Sequence, residues 1–86
     1  MQSLEKQLKA VANRRRLAII KFLHKSAGSS VGDIAAEIKL SFRSTSRHLA
    51  VLRAADIVES SQVSQNVFYK LAAPRSSIVS LVLSLG

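Results

Sequence analysis

The chain of 86 residues carries thirteen Lys plus Arg against five Asp plus Glu, a net charge of +8, with 48% apolar residues and no cysteine. Its length suits one domain whose core is small, so self-association is the expected source of extra stability. Disulfides and thiol chemistry are excluded, the five scattered carboxylates make an enzyme unexpected, and the positive field selects polyanions, nucleic acid ahead of anionic membrane.

Residues 1–9 lack the apolar segment of a leader, and the longest apolar run, near the carboxyl end, falls short of a membrane span. A soluble, cytoplasmic, nucleoid-associated protein is the expectation. Residues 3–12 suit a first helix, with Leu4, Leu8, Val11 and Ala12 on one face and Glu5 at the positive end of the dipole. Asn13 breaks or caps it. Arg14, Arg15 and Arg16 open a second helix that reaches Lys25, where Leu17, Ile20 and Leu23 form a stripe widened by Ile19 and Phe22. A stripe this broad belongs at the centre of the core or against a second subunit. The arginine triplet opposes its own helix dipole. Arg16 reads as the partner of an acidic side chain, and Arg14 and Arg15 as solvated charges or phosphate contacts. Ser26 to Ser30 reads as a loop.

From Val31 to Val58 two amphipathic helices are joined by a short turn. Val31, Ile34, Ala35 and Ile38 make the apolar face of the first, with Ser30 as N-cap and Asp33 completing a capping box. Lys39, Leu40 and Ser41 form the turn, and Ser41 caps the next helix. That helix is expected to bury Thr45, Leu49 and Leu52 together with Phe42. Its opposite side shows Arg43, Ser44, Ser46, Arg47 and Ala50. Two guanidinium groups one turn apart, among short hydroxyls, suit a helix laid in a DNA major groove. A solvated charged face is the competing reading, and the helix-turn-helix arrangement favours DNA.

Ile57 to Ser61 and Asn66 to Leu71 are β-rich runs separated by Gln62, Val63, Ser64 and Gln65, which predicts a hairpin with Phe68 on the core side. Pro74 ends the strands, and Ser76 or Ser77 caps a last helix bearing Ile78, Leu81, Val82 and Leu85, with Val79 and Leu83 on an adjoining face. The segment has no charge after Arg75 and is too short to be a stable helix in water alone. It must bury on its own domain, on a twin subunit or on lipid; strand alternation is the weaker competitor, and a membrane surface is weaker still because the cationic flank is missing.

The run from Leu40 to Leu49 (L-S-F-R-S-T-S-R-H-L) and the run from Val51 to Val58 (V-L-R-A-A-D-I-V) together resemble the DNA-binding core of the ArsR-type winged helix-turn-helix regulators. Leu8 to Asn13, Arg16-Leu17 and Val67 to Leu71 extend the similarity to roughly residues 4–72. The resemblance implies a mainly α fold with a β-hairpin wing: four helices, two strands and a fifth helix, as one domain over 1–86. It also implies a dimer through the N-terminal (3–12) and C-terminal (76–85) helices, with Leu4, Leu8, Val11, Ile78, Leu81, Val82 and Leu85 at the interface. The implied function is sequence-specific binding of double-stranded DNA, an imperfect palindrome, by a homodimeric transcriptional repressor. Arg43 and Arg47 would make the strongest contacts, with Ser44 and Ser46 adding short bonds, Lys39 and Ser41 on backbone phosphate, and His48 and Gln65 at the edges. Arg53 and Lys70 are further candidates.

This chain also departs from the family. Lys39 and Asp56 stand where the family usually has glycine, so both are expected in a left-handed conformation. The wing tip is neutral (Gln62, Ser64, Gln65, Asn66) where the family is usually basic. The positions where metal-sensing members carry ligands hold Ser29 to Asp33 and, in the last helix, serines and aliphatics; His24 and His48 are the only nitrogen ligands, so no metal or cofactor is expected. Two other readings stand beside the repressor: a protein-interaction module of a larger transcription or chromatin assembly, and a regulator answering a small-molecule effector in a pocket at the dimer interface.

Overall fold

A computed structural model describes residues 3–86. The elements run α1 (Leu4–Val11), α2 (Arg14–Lys25), β1 (Ser29–Ser30), α3 (Val31–Ile38), α4 (Phe42–Ala54), β2 (Val58–Val63), β3 (Asn66–Leu71) and α5 (Ser77–Leu85). The strands form one antiparallel sheet in the order β1-β3-β2. This is a winged helix-turn-helix, with α3 and α4 as the helix pair and the β2–β3 hairpin as the wing.

Every helix begins at a side chain that accepts from its own first turn. Ser3 accepts from Lys6 N, Asn13 from Arg15 N and Arg16 N, Ser30 from Asp33 N, Ser41 from Ser44 N and Ser76 from Val79 N. Each such cap is worth about 1 kcal/mol and sets where the helix starts. Asn13, Ser30 and Ser41 were legible as caps beside the hydrophobic period and Ser76 was one of two candidates, whereas Ser3, expected inside the first helix, caps it instead.

The core collects on α2, whose Ile19, Ile20 and Leu23 are buried against Ile34 of α3, Leu49 and Leu52 of α4, Ile57, Val58, Leu71 and Val79 of α5. The broad stripe on α2 thus serves the centre of the domain. Thr45 is fully buried, and its hydroxyl donates to Ser41 O at 2.8 Å, so no polar atom is stranded there.

Four expectations are corrected. The loop before α3 contains a short strand: Ser29 and Ser30 pair with Tyr69 and Phe68, and Gly28, at φ 81°, donates its N–H to Tyr69 O. Two residues carry no periodicity, so this pairing left no mark in the sequence. On β3 the core face is Tyr69 and Leu71, not Phe68. Leu71 pairs with buried Val58, and the period of two carries Tyr69 inward and turns Phe68 away. Phe42 is 63% exposed instead of joining the core. Val11 is 8% exposed and packs inside its own domain, so it is not free to meet a second subunit.

Candidate nucleic-acid interface

The turn between α3 and α4 is held by backbone geometry. Lys39 ends α3 at φ 57°, ψ 52°, in the left-handed region, and Leu40 N donates to Ala35 O. Asp56, after α4, has φ 57° as well. Both lie where glycine was missed. The αL state puts Lys39 on the surface at the mouth of the turn, beside the exposed N-cap Ser41.

Along α4 the buried residues Thr45, Leu49 and Leu52 define the inner face. Arg43 and Arg47 are both exposed on the other side, with Ala50 and Ala54 continuing the ridge toward the helix end. Two like charges at i and i+4 repel each other by a few tenths of a kcal/mol, a cost that an anion between them reverses. Neither has a carboxylate within ion-pair distance: the pairs among the described residues are Glu5–Lys9 and Glu59–Lys70. Ser44 and Ser46 are both half-buried, on opposite flanks of that ridge. The hydroxyl of Ser41 accepts from Ser44 N, which leaves its own proton to give outward.

The arginine triplet does different work from that expected. Arg16 meets no acidic partner; it donates to Ala10 O and Lys9 O at the end of α1 and to His48 Nδ1 on α4. Arg15 donates to Ile38 O, the last carbonyl of α3, at 3.2 Å. The C-terminal carbonyls of a helix have no partner of their own and carry its negative partial charge. Cations that oppose the dipole of α2 therefore answer the dipoles of α1 and α3. Only Arg14 of the three is fully at the surface.

His48 is half-buried, its ring occupied by Arg16, and burial, then Arg16 and Arg15, push its pKa below the ordinary 6.5. The wing turns at Ser64 (φ 60°), with Gln65 exposed at the tip. The strands run closer to the tip than the β-rich runs suggested, leaving Ser64 and Gln65 as the whole turn between Val63 and Asn66. Lys70 is spent in part on Glu59, 3.3 Å away across the hairpin, and Arg53 is exposed beyond Arg47 on α4. Among the described residues no three of His, Cys, Asp and Glu lie together, and no helix is long and apolar enough to cross a membrane.

On α5, Val79 is buried while Val82, Leu83 and Ile78 pack at the edge of the core. Leu81 and Leu85 face out at 53% and 77% exposure, and Leu4 and Leu8 of α1 are exposed as well. The helix is thus seated by Ile78, Val79, Val82 and Leu83, so two of the four residues expected at an interface are partly used within the domain.

The family model for bacterial regulatory proteins of the arsR family matches residues 13–60. The chain belongs to the arsR family. Among its relatives, the transcriptional activator HlyU of Vibrio cholerae is 41% identical over 66 residues, which cover 77% of this chain and 60% of HlyU. The HTH-type transcriptional regulator YgaV of Escherichia coli is 34% identical over 64 residues, 74% of this chain and 65% of YgaV. The chain therefore matches somewhat under two thirds of the length of either. The solved structure of V. cholerae HlyU superposes with a TM-score of 0.81 at 34% identity, over 94% of this chain and 85% of that one. A homodimeric winged helix-turn-helix DNA-binding domain, Mb0332 from Mycobacterium bovis, shares the fold at 24% identity and TM-score 0.83, covering 95% of this chain and 73% of that one.

Sequence reasoning did not find the bridging roles of Arg15 and Arg16, nor the outward position of Phe42. The bridging roles depend on neighbours far along the chain. Phe42 stands at the first position of its helix, where no preceding turn exists to bury it.

Proposed function

We propose that this arsR-family chain is a sequence-specific DNA-binding transcriptional regulator that acts as a homodimer on an imperfect palindrome. The observation that carries the reading is the paired guanidinium ridge of Arg43 and Arg47, exposed, without a carboxylate partner, on a helix whose other side is anchored in the core. The recognition helix enters the major groove, Arg43 and Arg47 grip guanine edges or phosphate, and Ser44 and Ser46 add short bonds. Lys39 and Ser41 bind backbone phosphate, Gln65 reaches the adjoining groove as a neutral wing tip, and His48 lies behind the contact surface.

Leu4, Leu8, Leu81 and Leu85 support the dimer, since apolar side chains this exposed on a domain this small gain most from a second copy. Ile78 and Val82 extend that surface inward. A two-fold axis then sets the recognition helices about 34 Å apart, on successive turns of one duplex face. Occupancy of a promoter, and so repression, is the regulatory outcome proposed; the described activity of HlyU in V. cholerae is activation, and a reporter carrying the bound site reads the sign directly.

The test is selection of bound duplexes from a random-sequence library, followed by binding of Arg47→Ala to the selected site. The expected loss is about 1–3 kcal/mol with relaxed base preference. Equal affinity and equal selectivity in the variant would remove α4 as the reading element.

A further inference from the structure

We infer that Phe42 is a base-reading residue that recognises the C5-methyl group of a thymine in the operator; the inference rests on the DNA-binding reading above. Phe42 occupies the first position of α4 and is 63% exposed, although the apolar pattern of the chain would have placed it inside. The residues beside it on the outer surface are Arg43 next in sequence and Ser46 one turn on. The ring borders an open cleft between the start of α3, at Val31 and Gly32, and the wing, at Gln65, Asn66 and Val67. It lies on the wing-facing flank of the ridge that Arg43 and Arg47 form.

The chemistry selects the ligand. A phenyl ring has no hydrogen-bond donor or acceptor with which to meet a base edge. The one apolar group that the major-groove edge of a base pair presents is the methyl of thymine, and an apolar side chain is its natural complement. The cationic neighbours disfavour a lone ring docking on a basic protein surface and suit a duplex, whose phosphates flank the groove floor. Being at the first helical position, the ring overhangs the helix end and leads it toward the groove floor. No core contact is given up to do so, which is why the ring can be spent on recognition.

The experiment uses the whole chain and the duplex selected from the random library. Each thymine is replaced in turn by uracil, which removes only the methyl and keeps every Watson–Crick group. At one position in each half-site the substitution should weaken the wild-type protein about fourfold, the worth of one methyl-sized group taken out of water. Phe42→Ala should be weakened on the thymine duplex and indifferent to uracil at that position, while its melting temperature stays that of the wild type. A wild-type protein that selects a sequence yet ignores every uracil, or a Phe42→Ala protein that keeps the wild-type uracil profile, overturns the inference and leaves the DNA-binding reading standing. A lowered melting temperature with an unchanged uracil profile marks the ring as a packing residue and overturns it too. Failure of the wild type to select any sequence overturns both.

Discussion

Arg16 Nη1 lies 3.0 Å from His48 Nδ1, joining the start of α2 to the middle of the recognition helix. A guanidinium can only donate, so the imidazole accepts and is neutral, with its proton on Nε2. Together with the bonds from Arg16 to the end of α1, this contact ties three helices through one side chain.

That tie carries a pH signature. Burial first, then Arg16 and Arg15, hold the His48 pKa below its ordinary value of 6.5. The unfolded chain therefore takes up the proton more readily than the folded one. The contribution to stability is complete above the ordinary value and is lost as the pH falls through the lowered one. Between about pH 7 and about pH 5 the wild-type melting temperature should fall more than that of His48→Gln, whose amide oxygen accepts without titrating. Parallel pH profiles in the two proteins would show that the histidine proton plays no part.

Lys39 sets stability against affinity. Its left-handed backbone, at φ 57°, is one that glycine adopts without strain. Lys39→Gly should stabilise the fold by about 1 kcal/mol, a rise of roughly 4–8 °C in melting temperature for a domain of this size. The same substitution removes a cation beside the recognition helix. Affinity should drop evenly across sequences, and the slope of log affinity against log salt should shrink by about 1. Thermal melts and a salt titration measure the two effects separately.

The wing, by contrast, should be silent to salt. Gln65 is exposed at the tip and uncharged, with Gln62, Ser64 and Asn66 beside it. Gln65→Ala should leave the salt slope unchanged while altering affinity by less than tenfold, the range of one neutral hydrogen bond. Gln65→Lys should steepen the slope by about 1, which a titration of both variants resolves.

Leu81 and Leu23 separate assembly from folding. Leu81 is exposed on α5, so Leu81→Asp should give folded monomers with much weaker operator binding. Leu23 is buried at the centre of α2, and Leu23→Ala should cost about 2–5 kcal/mol of folding stability. Analytical ultracentrifugation with far-UV circular dichroism distinguishes the two. A Leu81→Asp protein that still sediments as a dimer would move the interface off α5.

Local chemistry settled much of this protein before any tertiary contact is considered. Ser30, Ser41 and Asn13 mark their helix starts because a hydroxyl or amide oxygen beside free N–H groups acts over three residues of chain. Thr45, Leu49 and Leu52 announce a buried face by a period intrinsic to the helix, and Arg43 and Arg47 fall opposite by the same geometry. The left-handed Lys39 and Asp56 were legible as well, from the glycine positions they occupy in a resembling family.

What the fold alone decided are the contacts between parts distant in sequence. Arg16 reaches His48 across 32 positions and Arg15 reaches Ile38 across 23, and no spacing rule joins such partners. The strand at Ser29 and Ser30 exists only because β3 passes beside it, and the β3 pleat was set by Leu71 turning toward the core. Phe42 left the core that hydrophobicity alone assigns it, and Val11 joined the core where the resemblance had put it at an interface. Hydrophobicity states what a side chain gains by leaving water, whereas the packing of neighbouring elements decides which side chains have somewhere to go.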